Sequence, residues 1–130
     1  MLHMLDTSVC VSLIRGRAPS GQLPPSDACA ISVITAAELE VGIRRSTRPA
    51  EQRLIVAAFL ACFSIRAFEI SAVADYGEIR ADLEKRGTPI GPLDLLIAAH
   101  ARHLNATLVT ANVGEFKRVK GLRVLPWGRA

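Results

Sequence analysis

Aromatic side chains are scarce here, with four Phe, one Tyr and one Trp making up 5% of the chain. The interior must therefore be filled by Ala, Val, Ile and Leu. Cysteine is equally thin: Cys10, Cys29 and Cys62 are odd in number, far apart and without a C-x-x-C pair. That pattern indicates neither a disulfide framework nor a zinc site, and free thiols fit the reducing cytoplasm, the expected location. Long apolar runs are absent too. The longest, Leu54 to Phe63, falls well short of the ~20 residues of a membrane span. No charged-then-apolar segment opens the chain, so neither export nor a membrane partner is expected.

What is present describes a packed protein. With 130 residues, 50% of them hydrophobic and 22% charged, the chain is excluded from the disordered class. Its length fits one domain spanning residues 1–130. The formal charge is +4 and the isoelectric point is near 9.4, a moderate attraction toward polyanions. Most cations are Arg, in clusters at Arg15/Arg17, Arg44/Arg45/Arg48 and Lys117/Arg118/Lys120/Arg123. Guanidinium forks suit phosphate oxygens, although an ordinary solvated face would look the same.

Strand and helix patterns alternate along the chain. Leu2 to Asp6 reads as a first strand, with Thr7 or Ser8 placed to cap a helix carrying Val9, Val11, Leu13 and Ile14; the alternative is that Asp6 itself is only the cap of that helix. Pro and Gly between Gly16 and Asp27 mark a surface loop. Ala28 to Ser32 is a strand apolar on consecutive positions, as parallel strands covered on both faces are. Ser32 caps a second helix and Pro49 opens a third, whose apolar residues run nearly all round it, so that helix is either central or covers a partner. Ser64 to Ile70 is a third strand. Ser71 caps a fourth helix with Asp75 and Glu78 exposed, and Pro92 leads into a buried fifth. Thr107 to Thr110 and Leu122 to Leu125 are the last strands, the final one at an edge. The expected fold is a three-layer α/β/α sandwich with a mostly parallel sheet.

Four acids recur at corresponding places in this alternation. Asp6, Glu38, Asp94 and Glu115 each follow a strand or lie in the first turns of a helix. Glu40 is about 200° round the helix from Glu38 and cannot serve the same site. Strand ends in open α/β sheets form the ligand crevice, so right-handed crossovers would bring the four to one rim. Carboxylates so gathered repel one another unless a divalent cation offsets them. Oxygen donors favour Mg2+ or Mn2+, the ions of phosphodiester chemistry. Thr7, Ser8, Thr110 and Asn112 would orient the acids or waters around them. His100 and His103, three apart on one helix, read as packing residues because no third nitrogen or sulfur ligand lies nearby.

The segments Leu5-Asp6-Thr7-Ser8-Val9, Ile31 to Leu39, Ile90 to Ala99 and Val109 to Phe116 resemble, in order and spacing, the four motifs of PIN-domain ribonucleases. The likeness is strongest to the VapC-type toxins of bacterial toxin–antitoxin pairs and covers essentially the whole chain. By that resemblance Asp6, Glu38 and Asp94 match the family's metal-binding acids. Glu115 matches a fourth acidic position where the family more often has Asp, and Thr110 and Asn112 match polar positions of the same motif. The resemblance implies Mg2+- or Mn2+-dependent endonucleolytic cleavage of RNA and a homodimer. It also implies inhibition by a VapB-type antitoxin, which alone would reach operator DNA. The alternative is a catalytically inactive PIN-like module kept for association with a protein partner, for which the Leu54 to Phe63 segment is the motive.

Overall fold

The computed structural model describes residues 1–17 and 23–128; part of the expected loop between Gly16 and Asp27 thus lies outside the described residues. Strands β1 (His3–Leu5), β2 (Cys29–Ser32), β3 (Ser64–Arg66), β4 (Thr107–Thr110) and β5 (Arg123–Pro126) form one sheet in the order β3-β2-β1-β4-β5. Every pairing is parallel. Between them run α1 (Thr7–Ile14), α2 (Val33–Arg45), α3 (Pro49–Leu60), α4 (Val73–Lys85), α5 (Pro92–His103) and the short α6 (Val113–Phe116).

Alternation along the strands builds the two sides of the core. Met4 and Leu108 turn to a cluster with Ile79 and Leu83 of α4, Ile97 of α5 and Phe116. Their neighbours Leu5 and Val109, with Ile31, turn to the opposite cluster with Val9, Leu39, Ile43 and Val56. Successive side chains on a strand point to opposite faces, so β1 and β4 are sandwiched between helical layers and need apolar residues at consecutive positions.

The register locates the functional rim. Leu5 pairs with Ile31 on one side and Val109 on the other, so Asp6, Ser32 and Thr110, the next residues, leave the sheet side by side. The chain steps outward from β1 to β2 and β3, then returns to lay β4 against the other edge of β1. That reversal between β1 and β4 is where parallel α/β sheets open a crevice.

Several local expectations are corrected. Asp6 itself, not Thr7 or Ser8, caps α1, accepting from the Val9 amide; all three residue types can cap, and Asp6 is the one left in extended backbone. Ser71 does not cap α4; it lies in a short 3-10 turn at Ile70–Ala72, and its hydroxyl meets His103 Nε2 at 2.9 Å. Strand β3 ends at Arg66 rather than reaching Ile70. Asp75 is not solvated: Arg102 Nε donates to it at 2.8 Å and His103 Nδ1 lies 3.1 Å from it. Helix α3 is peripheral, burying Val56 while leaving Leu54 74% exposed. Asn105 ends α5 as expected, with the left-handed φ of 56° that Asn tolerates at this position.

Candidate functional site

Asp6 is almost completely buried at the end of β1. Ser8 Oγ donates to its Oδ1 at 2.6 Å, beside the capping bond from the Val9 amide at 3.1 Å. Thr110, at the end of β4, donates to Oδ2. Burial pushes the Asp6 pKa up, and the bonds from Ser8, Thr110 and the backbone pull it partly back. Asp6 is thus a carboxylate stripped of water and compensated by neutral donors, with no ion pair to a cation among the described residues.

Glu38 arrives from the second turn of α2. Thr7 Oγ1 donates to its Oε1 at 2.6 Å and lies 3.1 Å from the fully buried Thr35 hydroxyl. Two turns of different helices are joined there through hydroxyls. Glu40, by contrast, faces the surface, where Arg53 grips it with two bonds of 2.8 Å and Arg44 with a third. Those guanidiniums hold its pKa down at about 2.

Asp94 stands half-buried in the first turn of α5, facing Glu115 of α6. Its pKa is pushed up to about 6, first by burial, then by hydrogen bonding and repulsion from Glu115, and further by the charges of Asp6 and Glu38. The four acids of the four motifs therefore lie within electrostatic reach of one another. They are not drawn to ligating distance: among the described residues no group of three His, Cys, Asp or Glu is close enough to hold a metal ion. Glu115 Oε2 is buried without a hydrogen-bond partner. An all-oxygen donor set with an orphaned buried carboxylate oxygen fits a hard divalent cation, with Asp6, Glu38, Asp94 and Glu115 as the groups that could hold it.

The polar residues around the acids divide their work. Ser8 also accepts from the Ala111 amide at 3.3 Å, and Thr110 Oγ1 from the Asn112 amide at 2.8 Å. Asn112 thus contributes its backbone, and its side chain makes no capping bond to α6. Thr35 lies three residues before Glu38 on the same face of α2, and its junction with Thr7 comes from the packing of α1 on α2. His100 and His103 serve different partners. His100 is buried against Ser32 Oγ at 2.8 Å, with burial pushing its pKa down, and His103 bridges Ser71 and Asp75.

The PIN domain family matches residues 3–122, nearly the whole of this fold and all four acids. The chain belongs to the PIN-domain family. Two relatives carry the VapC name. It is 39% identical to Ribonuclease VapC2 of Rickettsia felis, over 99% of this chain and 100% of that one. It is 35% identical to the tRNA(fMet)-specific endonuclease VapC of Shigella flexneri, over 95% and 96% of the two chains. Among solved structures it resembles the VapBC2 complex of Rickettsia felis bound to a DNA fragment from its promoter. There the TM-score is 0.87 at 36% identity, covering 98% of this chain and 99% of that one. Among the described residues no helix is long and apolar enough to cross a membrane.

Proposed function

We propose that this chain is a divalent-metal-dependent endoribonuclease and the toxin of a toxin–antitoxin pair, acting in the cytoplasm as a single domain of residues 1–130. The observation that carries the reading is the convergence of acids from four separate motifs on the β1/β4 rim, where burial first, and then Glu115, Asp6 and Glu38, push the Asp94 pKa up to about 6. Asp6, Glu38, Asp94 and Glu115 are the residues to hold Mg2+ or Mn2+. When bound, such an ion supplies the water activation and charge stabilisation that phosphodiester hydrolysis requires.

The chain's own groups prepare the site. Thr7 fixes the Glu38 carboxylate, while Ser8 and Thr110 fix both oxygens of Asp6. The Asn112 amide in turn holds Thr110. The charge of an acid held by neutral donors is left for a cation to offset, whereas that of an acid paired to arginine, such as Glu40, is already offset. The net positive charge of the rest of the chain draws the nucleic-acid backbone toward an acidic rim that would otherwise repel it.

By likeness to the VapBC complexes, the partner is a VapB-type antitoxin. The chain would form a homodimer, and with antitoxin a heterotetramer or larger, reaching operator DNA only through the antitoxin. RNA cleavage in Mg2+ or Mn2+ tests the activity directly. Wild type is expected to cut, and Asp6→Asn and Asp94→Asn are expected not to; if both variants cut as well as wild type, the reading fails.

A second reading, a PIN-like binding module without catalysis, is favoured by one observation: no three donors among the described residues already stand at ligating distance. Calorimetric titration with Mn2+ near neutral pH separates the two. Binding supports the nuclease, and its absence supports the module.

A further inference from the structure

A groove of about 570 Å³ runs between α1, α2 and α3, with Thr7 and Glu38 in its lining. It is therefore continuous with the acidic rim. Much of the rest of its lining is apolar, including Val11, Ile14, Leu39 and Ile55, and it carries two arginines, Arg15 from the end of α1 and Arg45 from the end of α2.

The state of these two arginines distinguishes them from their neighbours. Arg44 is paired to Glu40, Arg53 to the same carboxylate and Arg48 to Glu51. Among the described residues Arg15 and Arg45 have no such side-chain partner. Two unneutralised guanidiniums on one concave surface form a positive lining that begins where the acids end. Their planar forks match phosphate oxygens.

We propose that this groove carries the RNA strand flanking the scissile bond, with Arg15 and Arg45 each holding a phosphate and the apolar lining receiving an unstacked base. The inference rests on the ribonuclease reading and adds to it the strand's path and its binding residues. A phosphodiester placed among four acids is repelled by them, so the adjoining phosphates must be anchored by cations a short way along the backbone. The groove offers those cations and starts at Glu38. Its volume is in the range of about 300–1,000 Å³ typical of ligand sites. It lies between helices with apolar sides, which suits an unpaired nucleotide, not a duplex.

The test uses the whole protein and a fluorescein-labelled stem–loop RNA, with anisotropy measured in EDTA so that no cleavage occurs. Arg15→Ala and Arg45→Ala are expected to weaken binding about tenfold each and to lower the salt slope by about 0.7 apiece, with Arg44→Ala as wild type. In Mn2+, the first two raise KM and leave kcat in place. Unchanged binding and salt slope in the Arg15 and Arg45 variants overturn the proposal. An equal loss in Arg44→Ala also overturns it, because any surface cation would then suffice. Intact RNA binding with loss of antitoxin capture assigns the groove to a peptide and overturns it as well. If wild type fails to cleave RNA at all, the ribonuclease reading itself falls; if it cleaves while Arg15 and Arg45 are indifferent, only the strand path does.

Discussion

Thr110 donates its hydroxyl to Asp6 Oδ2 at 2.5 Å, joining the ends of β4 and β1 through side chains 104 residues apart in the chain. The same oxygen of Thr110 accepts the Asn112 amide, so one hydroxyl fixes both an acid and the turn into α6. Thr110→Val keeps the shape and removes both bonds. It is expected to cost about 1–3 kcal/mol in urea unfolding, the usual consequence of leaving a buried acceptor unsatisfied. It should also raise the Asp6 pKa further and shift the acid limb of RNA cleavage to higher pH. A variant with wild-type stability and pH profile would show that the bond is incidental.

Asp94 predicts a conflict between stability and activity. Its pKa is about 6 in the folded chain against about 3.9 when unfolded. Between those values the folded state holds the extra proton, so in EDTA the contribution of this group to stability falls as pH rises from about 4 to 6 and then levels. Asp94→Asn is expected to flatten that slope and, allowing for solvent screening of a half-exposed group, to stabilise the fold at pH 7 by about 1 kcal/mol. The same change is expected to abolish cleavage. Urea midpoints at pH 4.5 and 7, compared between the two proteins, check it.

Glu38 and Glu40 are neighbours in sequence with opposite fates. Glu38→Gln should cut activity by about 10–100-fold, since it removes charge from the rim. Glu40→Gln should leave cleavage at the wild-type rate and the melting temperature nearly unmoved, because the Arg44 and Arg53 pairs it loses are solvent-screened. Cleavage assays on both variants decide the point.

Arg102 is the polar bolt between α4 and α5. It donates to Asp75 at 2.8 Å, Glu78 at 2.9 Å and the Lys120 carbonyl at 3.2 Å, with its side chain only 17% exposed. Arg102→Ala removes the guanidinium from the partly buried Asp75, leaving it His103, and is expected to cost about 2–3 kcal/mol. Arg102→Lys should recover little of that, since an ammonium cannot reach three acceptors in the geometry of the fork. Denaturant unfolding of the two variants provides the measurement.

What could be read in advance follows from locality. The alternation of Met4 with Leu5 and Leu108 with Val109 announces strands buried on both faces, and Pro49, Pro92 and Asn105 mark helix ends by backbone restrictions intrinsic to each residue. The four acids stand out because each follows a strand or opens a helix. Their partners do not stand out. That Thr7 holds Glu38, that Asp94 faces Glu115, and that Asp75 belongs to Arg102 depend on how helices from distant segments pack. The groove beside Glu38 was invisible for the same reason, since α1, α2 and α3 each contribute only part of it. Asp6, Thr7 and Ser8 are all legible as caps, and only the backbone conformation chooses Asp6 among them.

The register that sets Asp6 beside Thr110 also imposes a timetable. During synthesis Asp6 emerges well before β4 and α6, since 104 positions separate it from Thr110. A nascent chain still lacking them has neither the Thr110 hydroxyl on Asp6 nor the Glu115 carboxyl beside Asp94. For a chain read as a ribonuclease, the late pairing of β4 with β1 means that the proposed site has all its acids in place only after β4 and α6 have been made.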